Sequence, residues 1–181
     1  MGNSTQRLTK HRREPDRAPV RPLYTAQERL RRDASGWTLV QGVLAPVQFV
    51  VFLVSLGLVL RYLASGEGYA AATLSIVVKT LTLYLIMVTG CVWEKVVFGR
   101  YLFAPAFYWE DMFSMLVLAL HTAYLVALFS DALAPRPLML LALAAYASYV
   151  INATQFILKL RAARLGAAAA GDRDDSAQLA A

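Results

Sequence analysis

Residues 93–121 read WEKVVFGRYLFAPAFYWEDMFSMLVLALH. The stretch leaves one long apolar run and enters the next, and between the two it gathers charge. Glu94, Lys95, Arg100, Glu110 and Asp111 lie here, and His121 follows inside the second run. Seven aromatic residues fall between Trp93 and Trp109. Gly99 and Pro105 oppose one continuous helix from Glu94 to Asp111. The reading is an aromatic-rich interfacial segment, in two short amphipathic pieces, joining two membrane spans.

Working outward, the same alternation of long apolar run and short polar break repeats. The 181 residues are 58% hydrophobic and 17% charged, against the roughly 25% charged usual for soluble domains. Spans are predicted over about 37–63, 70–92, 112–129 and 138–158, each long enough to cross a bilayer. The fold class predicted is all-α, an integral membrane four-helix bundle. A basic arm with three prolines fills 1–23 and is expected to be disordered, as is the alanine-rich tail over 166–181. The folded membrane domain is therefore 24–165. A polar tail of about 36 residues precedes the first span, so no cleavable signal peptide is expected. Tyr24 opens a short helical pattern in which Thr25 and Glu28 have capping-box spacing. Its arginines suit an N-terminal interfacial helix.

Within the spans, polar residues fall in register. Gln41, Gln48, Ser55 and Tyr62 recur every seven residues and share one stripe of span 1, which should face protein. Lys79 lies near the middle of span 2. At about 2.5–3.5 kcal/mol for insertion, it should face the bundle interior or water. Glu110 and His121 are eleven residues apart, which places them about 20° apart around one helix and ~16 Å apart along it. Tyr149, Asn152 and Gln155 share a face of span 4.

Fifteen of the 18 lysines and arginines fall in the two tails and the connection between spans 2 and 3. That bias predicts a multi-pass protein of the cytoplasmic membrane with both termini cytoplasmic. The net charge of +6 is then a matter of topology and anionic lipid, and no nucleic-acid partner is expected. A single cysteine, Cys91, excludes an intramolecular disulfide and any CxxC site. Two histidines are too few for a bundle holding two haems by paired imidazoles. No protein-bound metal is expected. The polar groups crowd into one half of the spans, which suits a pocket open to the cytoplasmic leaflet better than a through-pore or a small transporter.

Glu94, Glu110 and Asp111 flank the aromatic segment. Carboxylates crowded against a low-dielectric surface have their proton affinities driven apart, giving one acid and one base. A plainer alternative pairs them with Lys95 and Arg100. Seven aromatics on one side exceed the needs of an interfacial belt and would suit a flat aromatic ligand.

The stretches YTAQERLRRDASGWTLVQGVLAPVQFVVFLVSL (24–56), GYAAAT (68–73), EKVVFGRYLFAPAFYWEDMFSMLVLALHTAYL (94–125) and YVINATQFILKLRAAR (149–164) resemble the vinyl bacteriochlorophyllide hydratase family of phototrophic bacteria. The resemblance covers about 24–165. It implies a membrane enzyme of bacteriochlorophyll synthesis that adds water to the C3 vinyl group of a chlorophyllide-type pigment, giving a 1-hydroxyethyl group. It implies no cofactor, the magnesium arriving within the substrate. Expected partners are the pigment, the bilayer and other pigment-synthesis enzymes. The alternative is a non-catalytic pigment-binding or photosystem-assembly membrane protein.

The site assignments rest on the residues. Glu110 or Glu94 supplies the proton and Asp111 positions water. His121 either ligates the substrate's magnesium or completes the acid/base pair. Lys95, Arg100 or Lys159 holds the propionate. Trp93, Tyr101, Tyr108 and Trp109 offer faces to the ring, and Asn152 and Gln155 complete the substrate-binding set.

Overall fold

A computed structural model describes the backbone of residues 23–179 and the side chains of residues 23–166. It is all-helical: α1 (Ala26–Ala34), α2 (Gly36–Ser65), α3 (Tyr69–Phe98), α4 (Tyr108–Phe129) and α5 (Pro135–Leu179). Four of these contain segments long and apolar enough to cross a membrane, Gly36–Ser65, Tyr69–Phe98, Tyr108–Phe129 and Pro135–Gly166. The expected arm lies almost wholly outside the described residues. The side chains of the expected tail do too, apart from Gly166, while its backbone carries α5 on to Leu179.

The bundle is two antiparallel hairpins. In the first, every member of the seven-residue stripe on α2 finds its partner on α3. The Gln41 amide donates to Thr89 Oγ1 at 2.7 Å. The Ser55 and Ser75 hydroxyls are 2.7 Å apart, and Tyr62 packs on Tyr69. Gln48, with its amide orientation assigned from the network, donates to the Thr82 carbonyl at 3.0 Å and accepts from Lys79 Nζ at 3.2 Å. In the second hairpin Glu110 meets Lys159, Ser114 meets Asn152 and His121 meets Tyr146, each step down α4 matched by a step back along α5. Elsewhere threonine hydroxyls bond the carbonyl one turn back on their own helix, as Thr80, Thr122 and Thr154 do. No water inside lipid relieves an unpaired polar group, so these pairings fix the register.

The hairpins meet through a smaller set of contacts. Phe52 lies edge-on to Tyr146 at 5.4 Å and against Tyr149 at 5.0 Å. The Ser55 hydroxyl also bonds Tyr146, and Lys79 Nζ lies 4.0 Å from the centre of the Tyr149 ring. Lys79 faces the bundle interior, as its position predicts, and is 0% exposed.

One local expectation is corrected. The connection after span 2 contains no short amphipathic helices. α3 continues through Trp93 and Glu94 to Phe98, and Gly99 closes it in the left-handed conformation at φ 79°. Residues 99–107 form a loop and α4 starts at Tyr108. The apolar and aromatic residues after Val92 keep α3 helical because they have a partner, the buried cluster of Tyr24, Val97 and Phe107. At 30 residues α3 is about 45 Å long against a hydrocarbon thickness of about 30 Å, so its last turns stand beyond the span proper.

Tyr146→Phe keeps the ring and loses one hydroxyl bond, while Ser55 retains Ser75. Reversible unfolding in detergent should show a loss of about 1 kcal/mol or less. Phe52→Ala removes the ring that joins the hairpins and should cost about 3 kcal/mol in the same measurement.

Candidate active site

The candidate carboxyl groups gather where α3 ends and α4 begins. Glu94 occupies the penultimate turn of α3 and Asp111 the first turn of α4, and the 99–107 loop folds back between them. The backbone N–H of Phe103 donates to Asp111 Oδ2 at 2.7 Å, and the next N–H, of Ala104, donates to Glu94 Oε2 at 3.4 Å. Two successive amides thus hold two carboxyl groups from two helices. Phe103 adopts φ 58°, a left-handed conformation that costs a bulky residue on the order of 1–2 kcal/mol. The conformation turns these amides inward.

Glu94 and Asp111 face each other across the loop, near enough for each charge to act on the other. Two ionised carboxylates repel each other where little water screens them, so the arrangement favours one proton between the two groups. Both are buried. The site is therefore a close pair of buried carboxyl groups from two helices, held by backbone donors.

Glu110 sits beside the pair but is occupied differently. Lys159 Nζ lies 2.5 Å from its Oε2, and the same ammonium lies 5.0 Å from the Phe107 ring centre. A carboxylate and an ammonium this close make a strong charge-assisted hydrogen bond. The three carboxyl groups thus divide into a close carboxyl pair and an ion pair. The alternative pairing of these carboxylates with Lys95 and Arg100 is not what forms. Lys95 donates to the Gly99 carbonyl at 3.0 Å, closing the helix end, and Arg100 is exposed.

A roof of aromatic rings closes this end of the bundle. Tyr24 stacks on Phe98 at 5.8 Å, Phe107 stacks on Phe156 at 5.8 Å, and Trp93 meets Phe98 and Phe107 edge-on. Tyr24 reaches this position because α1 is firmly started: Thr25 and Glu28 form the predicted capping box, at 2.7 and 3.3 Å. Burial raises the Tyr24 phenol above its ordinary range, opposed by the Arg32 guanidinium 4.7 Å from its ring centre. Trp93 donates to Thr38 Oγ1 at 2.9 Å, and Thr38 in turn donates to the Arg32 carbonyl, tying α1, α2 and α3 together.

The remaining expected site residues separate. Tyr101, Tyr108 and Trp109 turn outward, Trp109 with 69% of its surface exposed, away from the carboxyl pair. Asn152 donates to Ser114 Oγ at 2.9 Å, two turns deeper than Lys159, and Gln155 lies half-buried between them. His121 shares the buried face of α4 with Glu110, Asp111 and Ser114, as its spacing predicts, but well below the pair. Among the described residues no group of histidine, cysteine and carboxylate side chains has the arrangement of a metal site.

Sequence reasoning missed the backbone amides of Phe103 and Ala104, because only the loop's conformation creates them. It missed Tyr24 and Thr38 as site walls, and the roles of Gln48 and Tyr149 beside Lys79. The seven-residue stripe was the available signal for Gln48. Tyr149 was visible on the polar face of α5, but nothing in the sequence paired it with Lys79.

Residues 24–162 match the family described as 2-vinyl bacteriochlorophyllide hydratase. The 2-vinyl bacteriochlorophyllide hydratase of Cereibacter sphaeroides is 68% identical over 154 residues, covering 84% of this chain and 95% of that protein. That of Rhodobacter capsulatus is 64% identical over 154 residues, covering 85% of this chain and 90% of that protein. No solved structure matches the chain. With the matched residues running from the Tyr24 roof through both hairpins to beyond Lys159, the chain belongs to the 2-vinyl bacteriochlorophyllide hydratase family.

Proposed function

We propose that this protein adds water across the vinyl group of a bacteriochlorophyllide, and that Glu94 and Asp111 carry the proton transfers. The observation that supports the assignment is the close placement of these two buried carboxyl groups on successive amides of one loop, set against the ion pair that occupies Glu110. Of the three carboxyl groups in the segment, only the pair holds a proton to give and a basic oxygen to receive one.

The steps balance within the pair. Glu94 in its acid form protonates the terminal vinyl carbon. The carbon–carbon double bond supplies the electron pair, and the adjacent carbon becomes a cation delocalised into the macrocycle. Water attacks that carbon, and Asp111 takes the proton that the new C–OH₂⁺ group releases. Glu94 is then ionised and Asp111 protonated. The proton returns from Asp111 to the neighbouring Glu94 and the site is restored. The N–H donors of Phe103 and Ala104 stabilise whichever carboxylate is ionised at each stage. Acid and base contributions of this kind are each worth about 10²–10⁴-fold. The chemistry places no demand on a protein-bound cofactor. Lys159, with Glu110 as its resting partner, is the cation best placed to receive the pigment's propionate.

The site end of the bundle faces the cytoplasm in this reading, because 15 of the 18 basic residues lie on that side. α1 then lies along the cytoplasmic surface of the membrane. Tyr101, Tyr108 and Trp109 form its aromatic belt, and contact with other pigment-synthesis enzymes would be made on that side.

In purified protein, Glu94→Gln and Asp111→Asn should each lower kcat by about 10²–10⁴-fold with the fold retained. Glu110→Gln, which can still accept from Lys159, should change kcat by less than about tenfold. Full turnover in both Glu94→Gln and Asp111→Asn would remove the pair from the mechanism, while loss confined to Glu110→Gln would transfer its role to Glu110. Turnover in heavy water should place one deuterium on the methyl carbon of the hydroxyethyl product.

The orientation has its own test. In a Cys91→Ser background, Arg100→Cys should react with a membrane-impermeant maleimide only in inverted vesicles. Arg136→Cys should react only in right-side-out ones. The opposite pattern would place the site on the outer face.

A further inference from the structure

His121 is the buried group that the proton chemistry leaves unused. It is 0% exposed, and its Nδ1 lies 2.8 Å from the Val117 carbonyl oxygen one turn back on α4. A carbonyl only accepts, so Nδ1 carries the hydrogen of the neutral ring, and Nε2 is left as a bare lone pair. Nε2 is enclosed and has no hydrogen-bond partner. Several neighbouring polar groups are answered: Ser114 by Asn152, Ser55 by Tyr146, Lys79 by Gln48 and Tyr149. An orphaned acceptor in such a place calls for a ligand.

Two further unanswered acceptors, Asn152 Oδ1 and Gln155 Oε1, lie on α5 between the level of His121 and Lys159. A polar path therefore runs from the midplane toward the carboxyl pair. Beside His121, in ring contact at 5.8 Å, stands Tyr146. Tyr146 is also a wall of a cavity of about 230 Å³ between α2 and α5, lined with Phe52, Leu56, Leu143, Ala147 and Val150. This seam divides the two hairpins and opens toward lipid.

We infer that the seam between the hairpins admits the pigment from the bilayer, and that His121 Nε2 binds the pigment's central magnesium as its axial ligand. This rests on the reading that the substrate is a magnesium-bearing chlorin. Imidazole nitrogen with its other N–H fixed by a carbonyl is a well-oriented metal ligand. Phe52 and Tyr146 offer ring faces for the macrocycle. Asp111 lies ten residues before His121, about 15 Å along α4. Both side chains lean toward the helix N-terminus, the longer imidazole further than the aspartate. A disc ligated at His121 thus has its rim on the side of Glu94 and Asp111, and the ligand fixes which edge faces them.

The test is binding, separate from turnover. Purified protein in detergent is titrated with magnesium chlorophyllide and with the same pigment lacking magnesium, followed by absorption. The wild-type protein should prefer the magnesium pigment at least tenfold, with the band shift of an added axial ligand. His121→Phe should bind both forms equally, with affinity for the metal-free form within about threefold of wild type. His121→Gly should regain the preference when imidazole is added, which also answers for a variant that folds poorly with the bulkier side chain. Equal binding of both pigments by the wild-type protein, or an unchanged preference in His121→Phe, overturns the ligand assignment and leaves the hydratase reading standing. If the wild-type protein binds neither pigment, the hydratase reading falls with it.

Discussion

A polar side chain inside a bilayer has to be answered by another part of the same protein, because the surrounding solvent offers neither donors nor acceptors. The four long helices show how far this one requirement determines an arrangement. Apolar packing alone would let α2 slide or rotate against α3, since lipid tails are as good a neighbour for leucine as another leucine is. The partners of Gln41, Gln48 and Ser55 remove that freedom. Each lies seven residues from the next, two turns of the helix, so the register is set at three depths at once. The α4–α5 hairpin is held in the same manner by Glu110 with Lys159 and Ser114 with Asn152.

What satisfies each hairpin internally leaves less to join them. Phe52 against Tyr146 and Tyr149, the Ser55–Tyr146 bond and the Lys79–Tyr149 contact carry much of the seam. Lys79 is informative here. An ammonium buried in a bundle commonly faces a carboxylate, but this one is met by an amide oxygen and an aromatic face. Such partners hold the charge without making a rigid lock between helices. A protein that must accept a large flat molecule from lipid needs a seam with that property: complete enough to be stable when closed, and free of strong ion pairs that opening would break.

The sequence disclosed the parts of this that are periodic. Span number, the inward stripe on α2, the interior Lys79, the capping box at Thr25 and the common face of Glu110 and His121 all follow from spacing along a helix, and all are found. It did not disclose the end of α3. Gly99 was legible as a break, but the helix persists to Phe98 because residues from α1 and α4 supply a buried face for it, a tertiary cause. Nor did it show which carboxyl groups would meet. Glu94 and Asp111 are 17 positions apart and are joined only by a loop with Phe103 in a conformation that local preference disfavours. The aromatic count was legible, its use was not. Phe98, Phe107 and Tyr24 close the roof, while Tyr101, Tyr108 and Trp109 face outward.

The division among the three carboxyl groups follows from what each can reach. Glu110 looks across to α5, where Lys159 stands at matching depth, and an ion pair is the outcome. Asp111, one residue on, is turned about 100° around α4 toward α3 and finds Glu94. A second carboxyl group is a poor neighbour for a carboxylate unless a proton lies between them, and the inward amides of the 99–107 loop make the remaining charge tolerable. Exchanging the order of Glu110 and Asp111 would therefore not conserve the site, although it conserves composition and charge. The shorter aspartate fits beside Glu94 and under the Phe103 amide, and the longer glutamate spans the gap to Lys159. One residue of helical offset separates an ion pair from the close carboxyl pair, and the proposed chemistry depends on that offset.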